Sequence, residues 1–486
     1  MRLNIKNTKL NIPAIIVKFF PYLIFMTIAI LCLNNCFFHD TIQLSSKHAT
    51  WYYDNNFSHF LLPNEIDSGH PPLNGIMLAT LWKIFGRSLW VGHAFIAIWT
   101  LILIFQIQKV CSHFFSENIS SYIALAVLMD ATLLAQSSLV SPDIILMTAF
   151  FTSIRAIFEN KKWLLSIAII FLSLISMRGM MCTAAIFCFD FFYQYKIDKK
   201  LSIKKVVSMG LPFLPGVIAA FAFLCFHYYK LGWIGYHANM PWAEAFAKIT
   251  SFKEFVIHVV VMVWRLIDFG RIVIWGLLFF SIFFFFKNKI KFTFSLKQIS
   301  IIVLLIIMLL ISSYSFLFHK CLAGTRYLLP HYTLSTIIAF ILLDKFCSHK
   351  KIKIVAIIVS LILLSGNFVK YPEKISTSWD STLSHLTFYK LREQMLGYII
   401  ENNIPPEKIS AGLNMEGNQN NIDLTSPKNM IINNFDNFLS PEYILYSNIF
   451  NYDDALIDKL HNSNDYLPLK RVEKGYIFIV LYKKRI

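Results

Sequence analysis

Eight polar side chains stand at or beside the ends of apolar runs: Asp40, Asp67, His70, Asp143, Arg178, Lys320, Arg326 and Tyr327. An ionised group there is costly unless it meets water or an opposite charge. Two carboxylates opening on one outer cavity can divide the work of a transfer reaction. One takes a proton from an acceptor hydroxyl or amine, and the other orients substrate or a divalent cation. Asp40 and Asp143 are that candidate catalytic pair, and they are also possible metal ligands. Each has a plainer reading, Asp40 as a solvated loop acid and Asp143, after Ser141-Pro142, as a helix N-cap.

The run Asp67-Ser68-Gly69-His70-Pro71-Pro72-Leu73 joins an acid, a titratable imidazole and a rigid Pro pair. Proline at a helix start is ordinary, but His70 at a membrane surface can meet a phosphate. Arg178 falls at an outer turn, and Lys320 and Arg326 flank Gly324 in a short outer loop. A guanidinium fork suits a phosphate dianion, where leaving-group charge would develop; an anionic-lipid contact is the alternative. Asp130, within an apolar run, reads as buried and paired or protonated, and Arg265, Asp268 and Arg271 have no spacing that dictates chemistry. Walker, GxGxxG and HExxH patterns are missing, so soluble nucleotide chemistry and zinc proteolysis lack support.

The elements that must hold these residues are membrane helices. Hydrophobic residues make up 56% of the 486, 46 of them Phe, with a mean hydropathy of +0.56. A crossing takes about 20 apolar residues, and the runs predict about eleven crossings. The first is Phe19 to Phe38 behind a basic start of Arg2, Lys6, Lys9 and Lys18. Later ones include Ile119 to Leu139, Ile144 to Phe158, Val206 to Tyr228, Ile299 to Phe318 and Tyr327 to Phe346. A first external loop runs from about Phe38 to His70, and Pro71 to Phe85, short for a crossing, is read as interfacial. Clusters such as Lys199, Lys200, Lys204 and Lys205, or Lys287, Lys289 and Lys291, then fall inside, as the positive-inside rule asks. Met1 to Tyr371 carries 33 basic against 14 acidic residues, while the tail has 12 against 14. Short basic clusters between apolar runs argue for membrane loops and against nucleic acid. Seven of eight cysteines sit in or beside apolar runs, with Cys321 in a loop, and show no disulfide framework.

The tail from Pro372 to Ile486 is rich in Asn, Asp and Pro, with a helical pattern at Thr387 to Glu401 and a strand pattern at Tyr476 to Tyr482. It is expected to form a small α/β domain outside the membrane, behind an all-α polytopic domain at Met1 to Tyr371.

Asp40 after the first helix, His70-Pro71-Pro72-Leu73 thirty positions later, Ser141-Pro142-Asp143 and Arg326-Tyr327-Leu328-Leu329-Pro330 together resemble a known pattern. It is that of the polyprenyl-phosphate-dependent GT-C glycosyltransferases, whose relatives include protein mannosyltransferases and lipid A aminoarabinose transferase. The resemblance covers about Phe19 to Phe346. It implies Asp40 as base, His70 and Arg326 on the lipid phosphate or sugar, Tyr327 supporting that pocket, and Asp143 toward acceptor or metal. Asp67, Arg178 and Lys320 join the expected substrate-binding set. The implied partners are a polyprenyl-phosphate-linked sugar donor, a periplasmic glycan, lipid or protein acceptor, and the bilayer of a bacterial inner membrane, with the tail periplasmic. Thr41 stands where the pattern usually has a second acid, which weakens metal ligation at Asp40, and Arg178-Gly179 replaces a Lys-Gly pair. A lipid-linked glycan transporter or a glycan ligase are the alternative functions.

Overall fold

The structure is a computed structural model that describes residues 12–200, 202–238, 240, 243–289, 293–320, 324–375, 377–435, 441–450, 452, 454–462 and 465–485. Arg2, Lys6, Lys9, Lys291 and Cys321 lie outside the described residues. The chain is a multi-pass membrane protein with a small C-terminal sheet domain. Among the described residues six helices are long and apolar enough to cross a membrane, or up to eight if each of two bent pairs is one span. Helices Pro142–Phe158 and Lys162–Ile175 are short of that length, and Met177–Asp198 carries charged residues, yet all three pack together in the bundle.

Four sequence expectations change. The first helix is Ile12–Cys32, not Phe19 to Phe38, because Cys36, Phe37 and Phe38 are buried in protein rather than facing lipid. The run Ile119 to Leu139 is broken into Glu117–Leu128 and Ala131–Ser137, bent by 73°. Asp130 forces the break, since it is the N-cap of the second piece and accepts from the backbone N–H groups of Thr132 and Leu133. It is therefore no longer inside a helix. Val206 to Tyr228 divides into Ile203–Gly210 and Leu214–Leu231, with Pro215 in the opening turn of the second. Further along, helix Phe252–Ile267 turns by 91° into Ile272–Lys287. Gly270 sits at that corner with φ +84°, and a Cβ there would lie 2.6 Å from the Ile362 carbonyl oxygen.

Leu73–Phe85 has 13 residues, about 20 Å of helix and too short to cross. The tail folds as expected around helix Phe388–Glu401. Its strands are β1 (Ile409–Ala411), β2 (Gly417–Asn418), β3 (Ile431–Asn434), β4 (Tyr443–Ser447), β5 (Tyr466–Lys474) and β6 (Ile477–Lys484), in the order β2-β3-β1-β4-β6-β5. Strand β1 runs parallel to β3 and β4, while β6 pairs antiparallel with β4 and β5. One apolar cluster joins the domains: Phe38 and Leu139 of the membrane part pack with Trp379, Phe388, Leu391 and Met415 of the tail.

Candidate active site

Arg326 lies in a one-turn helix, Thr325–Leu328, that leads directly into Leu329–Leu343, where Pro330 occupies the first turn. Its side chain is 5% exposed, so its charge must be met by protein. Three carboxylates do so, each on a different nitrogen. Nη1 donates to Asp143 Oδ2 at 2.9 Å and Nη2 to Asp40 Oδ2, while Nε is ion-paired with Asp380 Oδ2 at 3.0 Å. Asp143 is set by the Ser141 cap, whose hydroxyl accepts from the Asp143 N–H at 3.2 Å. Its other oxygen pairs with Arg178 Nη2 at 2.7 Å. Tyr327 completes the cluster, with the Arg178 guanidinium 4.1 Å and the Arg326 guanidinium 5.0 Å from its ring centre.

Arg178 is aimed by its helix. Ser176 caps Met177–Asp198 by accepting from Gly179 N–H, and a Cβ at Gly179 would lie 1.9 Å from the Leu172 carbonyl oxygen. Glycine is therefore what lets this helix start close against Lys162–Ile175. Beside Arg178 a pocket opens, lined by His48, His70, Asn74, Pro142 and Ser176 among others. His70 Nδ1 accepts from the Met177 N–H at 3.5 Å, which leaves Nε2 to carry the proton.

Burial alone would raise the Asp40 carboxyl; the Arg326 guanidinium, with Arg178, outweighs it and holds the pKa below the ordinary 3.8. The side chain is nevertheless 44% exposed, so an ionised carboxylate faces the outside of the cluster. Burial, reinforced by Arg178, drops His70 to about 4 and keeps it neutral.

Asp40, Asp143, Arg178, Arg326 and Tyr327 are thus brought together, with His70 on the adjoining pocket. Asp67 is placed elsewhere: it forms a buried pair with His227 at 3.0 Å and accepts from the Gly69 N–H at 2.7 Å. Lys320 sits on a loop bonded through its backbone N–H to Ala247, and forms no salt bridge among the described residues. Asp380 was not anticipated. Its one signal in the sequence is an acid in Trp379-Asp380-Ser381 soon after the last apolar run, on the outer side with Asp40. The short helix Ala131–Ser137 holds it in place, since Gln136 donates to the Asp380 carbonyl and Thr132 to that of Ser381.

A divalent cation does not fit this donor set. Both Asp143 oxygens and one of Asp40 already face guanidinium groups, and among the described residues no three His, Cys, Asp or Glu side chains are grouped as metal ligands.

No family model matches the chain, and no curated protein matches it in sequence. Solved structures do match in shape. ArnT from Cupriavidus metallidurans bound to undecaprenyl phosphate aligns at a TM-score of 0.50 and 11% identity, covering 97% of this chain and 96% of that one. The chain has a GT-C-like fold. The apo form of the same ArnT gives 0.49 and 10% identity over 94% of this chain and 96% of that one. The GT-C-like fold spans almost the full length of both proteins, the tail included.

Proposed function

We propose that this chain is a membrane glycosyltransferase that moves a sugar from a polyprenyl-phosphate carrier to an acceptor on the outer face of a bacterial inner membrane. The observation that carries the reading is the meeting of Asp40, Asp143 and Asp380 around Arg326, with Arg178 and His70 at an adjoining pocket. The GT-C-like fold supports it, as does the undecaprenyl phosphate bound by the ArnT of that fold.

In this reaction an acceptor oxygen or nitrogen attacks the anomeric carbon as the bond from that carbon to the phosphate oxygen breaks. The carrier phosphate leaves with the electron pair, and Asp40 takes the acceptor's proton. Displacement from the face opposite the phosphate inverts the anomeric centre. A carboxylate held below its ordinary range is ionised at neutral pH and receives the proton as the new bond forms. Arg326 has three nitrogens committed to carboxylates, so it fixes their geometry, and the nearer phosphate contacts are Arg178 and the neutral Nε2–H of His70. Asp143 holds Arg178 toward that phosphate. The sugar and the acceptor, whether glycan, lipid or protein, are left open.

Replacing Asp40 by Asn should abolish transfer while the protein still inserts in the membrane. Mass spectrometry of envelope glycans and lipids from a deletion strain complemented with Asp40→Asn reads this directly. Full restoration of the modification by that variant would sink the assignment, and would favour a carrier-lipid transporter instead.

A further inference from the structure

The tail reaches the acid side of the site at a second point, the backbone immediately before Asp40. Phe38 is fully buried in the tail's core, its ring centre 5.0 Å from that of His385 and 5.8 Å from that of Phe388. His39 follows with φ +48°, the left-handed region that a side chain carrying a Cβ occupies only when its surroundings hold it there. A tail residue takes part in the holding. Asn414 Oδ1 accepts the His39 N–H at 2.6 Å, and Asn414 Nδ2 donates to His39 Nδ1 at 3.3 Å. Asn414 is itself fully buried, in the tight turn that follows strand β1. The turn around His39 is closed from the other side by Thr41, whose hydroxyl accepts from the Phe38 N–H at 2.9 Å and donates to the Phe38 carbonyl at 2.8 Å. Asp40 is the residue between these two fixtures.

We infer that Asn414 is a positioning residue for Asp40: its amide holds His39 left-handed, and this sets the direction in which the Asp40 carboxylate leaves the backbone. The tail is then a wall of the active site and not an accessory. The inference rests on the proposed role of Asp40 as base. Both groups of the amide are needed, because its oxygen takes the peptide N–H while its nitrogen selects the His39 tautomer with the proton on Nε2.

The test uses the full-length chain in a deletion strain, reading envelope modification by mass spectrometry, and the purified protein, reading affinity for undecaprenyl phosphate. Asn414→Ala should lower modification about tenfold or more, since small misplacements of a reacting group cost that much, while undecaprenyl phosphate affinity stays within about twofold. Asn414→Asp, which keeps the acceptor, should retain more activity than Asn414→Ala. Glycine occupies the left-handed region freely, so in a His39→Gly background the Asn414→Ala loss should shrink to about threefold or less. Where Asn414→Ala fails to give a monodisperse protein, Asn414→Thr takes its place in the same comparison.

An undiminished Asn414→Ala, or an equal loss in both backgrounds, overturns the inference. Asp40→Asn run alongside separates the two claims. If that variant is silent while Asn414→Ala is fully active, only the positioning role falls; if Asp40→Asn is active, the role of Asp40 as base falls, and this inference with it.

Discussion

Arg326 is the residue on which the site's charges balance, and its removal has a calculable sign. Three carboxylates face its one guanidinium, and truncating one side of a buried ion pair costs about 3–5 kcal/mol because the partner is left uncompensated. Arg326→Ala should therefore lower the melting temperature in detergent and abolish turnover, and Arg326→Lys should rescue little, since an ammonium cannot serve three separated acids as a fork does. The Asp40 pKa gives a second expectation. Its folded value lies below the ordinary one, so its contribution to stability is present above the unfolded pKa and disappears as pH falls through the folded value. Turnover should likewise persist below the ordinary carboxylate range before the base is protonated. Arg178 is one of the charges that depress Asp40, so a pH–rate profile of Arg178→Gln should show its acid limb moved upward; an unmoved limb would separate the two residues. At His70, Gln retains an N–H donor and should keep most of the affinity for undecaprenyl phosphate that His70→Leu loses.

Among the elements, the break at Asp130 matters most. Asp130 receives Arg271 in a two-pronged pair, Nε to Oδ2 and Nη2 to Oδ1, both at 2.7 Å, and the guanidinium lies 3.6 Å from the Tyr332 ring centre. This joint fixes the start of helix Ala131–Ser137, whose side chains hold Asp380. Asp130→Ala should cost about 3–5 kcal/mol of stability, whereas Asp130→Leu combined with Arg271→Met should recover much of it; thermal unfolding in detergent distinguishes the two. The sequence showed Asp130 and Arg271 as ionisable but assigned them no partners, because pairing over 141 positions leaves no local spacing to read. Asp40, Asp143 and Arg326 were legible for a different reason. Each sits at the end of an apolar run that charge parity, read from the sequence, assigns to one face. Parity could not reveal that Asp67 would turn to His227, or that Asp380 would reach back from the tail, since both depend on loop paths that hydropathy does not encode.

Across the whole molecule, the boundary between membrane part and tail is where sequence reading fell furthest short. The change in composition at Pro372 marks where the apolar runs stop, but it hides how the two parts interlock. Phe37 donates to the Ile422 carbonyl, Ser46 to that of Asn421, and Arg87 to Asn420. Truncation after Tyr371 should thus inactivate the protein and lower the stability of what remains, because it uncovers Phe38 and strips Asp380 from Arg326. Residual transfer by the truncated chain would show that the membrane part suffices. The charge cluster also carries a timetable. Its acids lie at positions 40, 143 and 380 and its hub at 326, so during synthesis the first two carboxylates are made long before the arginine arrives, and the arginine before its last acid. The centre cannot close until translation has nearly finished. Until then Asp40 and Asp143 lack the guanidinium that compensates them in the finished site, and a chain stopped upstream of Asp380 holds the cluster without its third acid.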